Sequence, residues 1–166
     1  MKPLPLLLTV LFVGATAASY YEIDQSIATS IREEAGRMGR SADVCFVEPT
    51  HHVEQYFRAA DVFVLPSIRE AQPLALLEAM ACGLPAIATR LPGATDVLIE
   101  DGTNGRLVLP DDEAALARTL RDVLTDRRTA CLMGARARET VLSHYDIRST
   151  AEQWLSAYHM VIRREP

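Results

Sequence analysis

The sequence predicts an α/β fold, a parallel-sheet, Rossmann-like domain with helices on both faces. Three observations carry that expectation. Apolar runs rich in Val, Ile, Leu and Phe recur at residues 6–13, 44–47, 62–65, 85–88 and 106–109. Stretches of helical periodicity lie between or after them, and strands alternating with helices imply a parallel sheet. The 166 residues are enough for about one hydrophobic core, so residues 1–166 read as a single domain.

The first run ends at Gly14 and has two readings. Met1-Lys2-Pro3, the apolar stretch and Ala15-Thr16-Ala17 have the three parts of a secretory signal peptide. A buried parallel strand is also a continuous apolar run, so composition does not separate the two. The next two elements favour the strand. Residues 22–38 read as a helix and residues 44–47 as a second strand, which completes a βαβ unit. The run is also too short for a membrane span of about 20 residues.

A helix at residues 52–58 and a strand at 62–65 come next. The helix at 73–82 carries Pro73 in its first turn, where a missing N–H is no loss, and Gly83 with Pro85 stops it. After the strand at 85–88, a helical stretch is expected at 94–99. Asp101-Gly102 and Asn104-Gly105 are turn dipeptides that place a tight connection before the strand at 106–109. Asp111-Asp112 suits a helix N-terminus, where acidic groups meet the positive end of the dipole. Helices at 113–125, 127–143 and 147–162 close the chain, packing over one edge or returning across the sheet. No repeat period is present.

Composition narrows the function. The chain is 49% apolar and 23% charged, an ordinary globular balance. A net charge of -5 with scattered Lys and Arg argues against a nucleic-acid partner, since phosphate binding needs clustered cations. Small basic pairs such as Arg127-Arg128 and Arg163-Arg164 read as solvated helix faces. Nothing in the chain indicates membrane contact. The cysteines are three, Cys45, Cys82 and Cys131, an odd number without short paired spacing. Cys45 and Cys82 sit among apolar residues and read as small buried hydrophobes, which fits a reducing, cytoplasmic setting. His51, His52, His144 and His159 show no metal-ligand spacing, so neither a metal nor a cofactor is expected.

The chemistry concentrates in residues 60–89, ADVFVLPSIREAQPLALLEAMACGLPAIAT, which reads strand, loop, helix, glycine stop, strand. In open α/β sheets ligands bind beyond the carboxyl ends of strands, where the loop 66–72 lies. The amides of Ala71, Gln72, Leu74 and Ala75 sit near a positive dipole end, a ready anion site. Glu70 stands before the helix and Glu78 within it. About five helical residues rise about 7.5 Å, and about three loop residues add up to about 10 Å. The two carboxylates are therefore too far apart to share a proton or a metal. They suit two hydroxyl-bearing groups on either side of a diphosphate, the shape of a nucleotide-sugar.

This segment resembles the group 1 (family 4) retaining glycosyltransferases of the GT-B fold. Their mark is a Glu, seven residues and a second Glu running into Leu-Glu-Ala-Met-Ala-x-Gly-x-Pro. Here it stands as Glu70, AQPLALL, Glu78 and AMACGLP. Further matches are Ala60-Asp61-Val62-Phe63-Val64-Leu65-Pro66-Ser67 before it and Ile99-Glu100-Asp101-Gly102-Thr103-Asn104-Gly105 after it. The leading strand with Gly14, the helix at Tyr21, and Ala135-Arg136 to Tyr145 also fit, so the likeness spans nearly the whole chain.

The resemblance implies the C-terminal, donor-binding half of a GT-B fold, working without a metal at this site. It implies that Glu70 is the catalytic residue touching the transferred sugar's hydroxyls, and that Glu78 holds the ribose hydroxyls. The amides of Ala71, Gln72 and Leu74, with Arg69, would take the diphosphate or sugar. Two departures stand out. Ala71-Gln72-Pro73 replaces a loop that is often glycine-rich in the family, leaving less room and one N–H fewer. Asp96 stands where the family often has Glu.

The family's donor domain also opens with a strand ending in Gly-Arg and a following Lys-Gly, whose cations grip the diphosphate. No such segment precedes residue 6, and the acceptor-binding N-terminal domain has no counterpart. The expectation is a truncated chain, or one completed by a partner chain that supplies the N-terminal domain. The missing strand would lie between those matching residues 6–13 and 62–65, which must then pair directly or leave a gap.

The leading expectation is thus a glycosyltransferase donor domain that binds a nucleotide-diphosphate sugar for retaining, hexosyl transfer to an unknown acceptor, inactive as an isolated chain. An alternative is a non-catalytic remnant or subunit that binds a nucleotide-sugar or a partner chain. A third is a GT-B relative that epimerises nucleotide-sugars. A dinucleotide oxidoreductase does not fit, because Gly14 begins no Gly-x-Gly-x-x-Gly turn.

Overall fold

A computed structural model of the chain describes residues 8–14 and 25–162. The signal-peptide features at residues 1–3 and 15–17, the start of the first strand, the start of the first helix and the Arg163-Arg164 pair lie outside the described residues. The chain divides into two compact units, Met1–Val53 and Glu54–Pro166.

In the first unit, strand β1 (Val10–Val13) pairs in parallel with β2 (Val44–Val47), Val10 opposite Val44 and Val13 opposite Val47. Helix α1 (Gln25–Arg37) connects them. Gly14 N–H extends the ladder by donating to the Val47 carbonyl at 2.9 Å. Phe12 and Phe46 stack with centroids 5.0 Å apart, and the Arg32 guanidinium lies 4.0 Å from the Phe46 centroid. Packing here is thin. Ala28 and Ala35 of α1 are buried, whereas Val10 and Leu11 are 37% and 42% exposed. Cys45 is exposed as well, which corrects the expectation that it is a buried hydrophobe. Alternation along β2 turns it away from Phe46 and the α1 side.

Helix α2 (Val53–Ala59), of which all but the first residue belongs to the second unit, sets Phe57 edge-on to Phe63 at 5.6 Å. Strands β3 (Phe63–Leu65), β4 (Ala86–Thr89) and β5 (Arg106–Val108) form a parallel sheet in the order β3-β4-β5. Helices α3 (Leu74–Ala81), α4 (Glu113–Thr125), α5 (Arg127–His144) and α6 (Ile147–Ile162) complete the unit.

β4 is the centre of this unit and is buried along its whole length. Ala86 and Ala88 face one side with Leu107, packed against Leu76 and Met80 of α3 and Ala137 and Val141 of α5. Ile87 and Val108 face the other, against Val123 and the half-buried Leu116 and Leu120 of α4. The period of two along the strand thus sends helices to both faces of this sheet, as expected.

Local chemistry sets the helix ends. The Asp112 carboxylate accepts from Ala115 N–H at 2.8 Å and starts α4. Asp126 does the same for α5 through Thr129 N–H at 3.0 Å and Thr129 Oγ1 at 2.7 Å. These bonds hold the Asp126 carboxyl below the usual carboxylate range, the Thr129 backbone bond contributing most. Helix α6 contains no buried residue among those described.

One expected helix is absent: residues 92–98 form consecutive turns where an α-helix was expected at 94–99. The Thr95 hydroxyl accepts from Leu91 N–H at 2.9 Å and donates to the Thr89 carbonyl at 2.5 Å. That side chain ties the segment to the end of β4. The strands also form two separate ladders. Among the described residues β1 pairs with β2, and β3 with β4 and β4 with β5, one ladder within each unit.

Candidate functional site

The β3–α3–β4 segment builds the site. β3 ends at Leu65, and residues 66–73 loop to α3, which starts at Leu74. That start falls one residue from the one expected. Pro73 stands as the N-cap and supplies no side-chain bond. Its carbonyl instead accepts from Leu76 N–H at 3.0 Å and Leu77 N–H at 3.2 Å. The amides of Leu74 and Ala75 precede this first helical bonding and have no acceptor within the helix.

The other end of α3 is closed by a glycine turn. Gly83 takes a φ of +78°. Its N–H donates to the Met80 carbonyl at 2.9 Å, and Leu84 N–H donates to the Ala79 carbonyl at 3.1 Å, the Schellman arrangement. Arg138 of α5 donates to the Ala81 carbonyl. A Cβ at Gly134 of α5 would lie 2.1 Å from the Gly83 carbonyl oxygen, so only glycine admits this approach. The helix that carries Glu78 is therefore clamped at its C-terminus.

Burial along α3 decides what it presents. Leu76, Ala79 and Met80 are fully buried, and the same helix leaves Leu74, Ala75 and Glu78 exposed as one stripe. Glu78 is thus more open than its apolar sequence neighbours imply, because those neighbours point to the other side. In the loop, Arg69, Ala71 and Gln72 are exposed and Glu70 is half-buried. Ser67 Oγ donates to Glu70 Oε1 at 2.7 Å.

The structure therefore brings Arg69, Glu70, Ala71, Gln72 and Leu74 onto one loop and the helix start it feeds, with Glu78 one turn further on. The loop follows the carboxyl end of β3, the position where α/β sheets bind ligands. Amide donors at the helix start and the Glu70 and Glu78 carboxylates are the groups that a ligand with anionic and hydroxyl parts would use.

Sequence reasoning did not single out Ser67, although its three-residue spacing to Glu70 was a readable signal. It also passed over Arg90, the first residue after β4, whose guanidinium lies 3.5 Å from Asp101 Oδ2. Asp101 is shared, since its Oδ1 also accepts from Leu107 N–H at 2.9 Å and Arg106 Nε at 3.3 Å. Among the described residues no group of three or more His, Cys, Asp or Glu is placed to hold a metal ion. No helix there is long and apolar enough to cross a membrane.

Comparison with known proteins gives one family. The family profile described as "Glycosyl transferases group 1" matches residues 8–126. A D-inositol 3-phosphate glycosyltransferase of Stackebrandtia nassauensis is 35% identical over 140 residues, 81% of this chain and 30% of that protein. Sulfoquinovosyl transferase SQD2 of Arabidopsis thaliana is 40% identical over 99 residues, 58% of this chain and 19% of that protein. The chain thus spans about a third or less of these relatives.

Among solved structures, sucrose-phosphate synthase from Thermosynechococcus elongatus superposes with a TM-score of 0.81 at 29% identity, over 93% of this chain and 39% of that one. Anabaena HepE in complex with UDP-glucose gives a TM-score of 0.81 at 24% identity, over 92% of this chain and 41% of that one, a likeness of fold.

Proposed function

The chain belongs to the group 1 glycosyl transferases, and on that premise we propose that the β3–α3 turn is the donor site for a nucleotide-diphosphate sugar in retaining transfer of a hexose. Glu70 is the catalytic residue in this reading, its carboxylate touching the hydroxyls of the transferred sugar. Glu78 accepts from the ribose hydroxyls. The amides of Ala71, Gln72 and Leu74, at the positive end of α3, take the diphosphate together with Arg69.

The observation that carries the reading is the exposed stripe of Leu74, Ala75 and Glu78 following directly on the Glu70 loop, on a helix buried through Leu76, Ala79 and Met80.

The acceptor-binding half of the reaction falls to polypeptide beyond this site, continuous or supplied by a partner chain. The donor domain comprises both compact units and works in the cytoplasm, a setting that the unpaired Cys45, Cys82 and Cys131 support. A second reading, a non-catalytic subunit that binds a nucleotide-sugar, has one observation in its favour. Pro73 removes an amide from the phosphate rim, and Arg69 is the sole cation on the loop.

Calorimetry tests the site. Nucleoside diphosphates should bind weakly, and Glu78→Ala should weaken binding by about 1–3 kcal/mol through lost hydrogen bonds to a charged acceptor. Unchanged binding in that variant removes Glu78 from the ribose role. The isolated chain should transfer no sugar, and measurable transfer from a nucleotide-sugar would exclude the non-catalytic reading.

A further inference from the structure

Glu70 is held by a neighbour that neither the motif nor the proposed roles account for. Ser67 lies two residues past β3, and its hydroxyl oxygen is 2.7 Å from Glu70 Oε1. A carboxylate only accepts, so the hydroxyl donates. We propose that Ser67 is a positioning residue that fixes one oxygen of Glu70 and leaves the other for the transferred sugar, an inference that rests on the donor-site reading above.

Three features support it. Glu70 is only half-buried, in a loop whose residues Ile68, Arg69, Ala71 and Gln72 are all exposed. A glutamate in such a setting samples many rotamers, and a hydrogen bond to its charged end restricts them. Ser67 itself is well placed to impose order. It is half-buried and follows Pro66, whose ring fixes φ just beyond the rigid end of β3.

The Ser-x-x-Glu spacing also matches a helix capping box. No helix begins at Ser67, however, and α3 starts at Leu74 with Pro73 as its N-cap. The pairing therefore serves the Glu70 carboxylate rather than a helix end. Of the roughly four lone-pair sites on a carboxylate it uses one, so Oε2 keeps its full capacity for sugar hydroxyls.

The test is calorimetry on the full 166-residue chain. UDP, ADP and GDP are compared with UDP-glucose, ADP-glucose and GDP-mannose, and the best-binding pair is carried forward. With Ser67→Ala the sugar conjugate should bind about threefold to tenfold more weakly. The bare nucleoside diphosphate should bind as in the parent chain, because its contacts fall on Glu78 and the amides. Ser67→Thr, which keeps the hydroxyl, should restore the affinity for the conjugate.

Equal affinity of parent and Ser67→Ala for the conjugate overturns the proposal. An equal loss for conjugate and diphosphate overturns it too, because that pattern marks a merely structural role. If Ser67→Ala is silent while Glu70→Ala and Glu78→Ala weaken binding, the Ser67 inference alone fails. If none of the three variants changes affinity, the donor-site reading fails with it.

Discussion

β1 and β4 are both four-residue parallel strands, and the more apolar of the two is the more exposed. β1 reads Val-Leu-Phe-Val, yet Val10 and Leu11 are 37% and 42% exposed. β4 reads Ala-Ile-Ala-Thr, and none of its residues is more than 4% exposed. The difference lies in what surrounds each strand. β4 has a strand on either side and helices on both faces, whereas among the described residues β1 pairs with β2 alone. Burial is a property of the neighbours. The small residues Ala86 and Ala88 let α3 and α5 come close, and Gly83 against Gly134 lets the two helices meet at backbone distance.

If this contrast is right, equal truncations should have unequal costs. Leu76→Ala empties a fully buried position above β4 and should cost about 2–5 kcal/mol of stability in urea unfolding. Leu11→Ala in β1 should cost about 1 kcal/mol or less. Similar losses from the two would break the comparison.

Gly134→Ala sharpens it from the opposite direction, by adding volume. The new Cβ would meet the Gly83 carbonyl oxygen at 2.1 Å and Pro85 Cδ at 3.3 Å, and backbone does not yield as a side chain does. A loss of about 1–3 kcal/mol is expected. A neutral result would mean that α5 is not seated on the α3 turn.

The smallest effect is expected at Asp126, on the surface. Its folded carboxyl titrates below the unfolded value of 3.8 because it accepts from Thr129. A depressed carboxylate stabilises the fold at pH values above the unfolded pKa, and that contribution disappears as pH falls through the folded pKa. Acid unfolding of Asp126→Asn should therefore differ from the parent chain near neutral pH and converge with it in strong acid. A difference that grows with acidity would contradict the assignment.

Much of the fold was readable because local chemistry and packing agree. Val44–Val47 and Glu113–Thr125 stand at their expected bounds, the second because Asp112 caps it as its position before the helix implies. Gly83 ended α3 where a left-handed residue was needed. The misses share one cause, side-chain bonds or neighbours that periodicity does not encode. Residues 94–99 have helical spacing, but residues 92–98 form turns and Thr95 binds backward to Thr89. Cys45 sits in an apolar triplet, but the alternation of β2 turns it outward. At the site, the helix start was legible to within one residue. The bond from Ser67 to Glu70 was passed over, although the three-residue spacing was there to read.

The most direct test of the central claim, that the donor binds at the start of α3, is an amide-resolved NMR titration. The chain would be titrated with UDP-glucose, ADP-glucose and GDP-mannose in turn. With the conjugate that binds, the largest shifts are expected at Arg69, Glu70, Ala71, Gln72, Leu74 and Ala75, with a smaller response at Glu78. Ser67 should move less with the corresponding nucleoside diphosphate than with the sugar conjugate. Shifts concentrated elsewhere while residues 69–78 stay still would contradict the account.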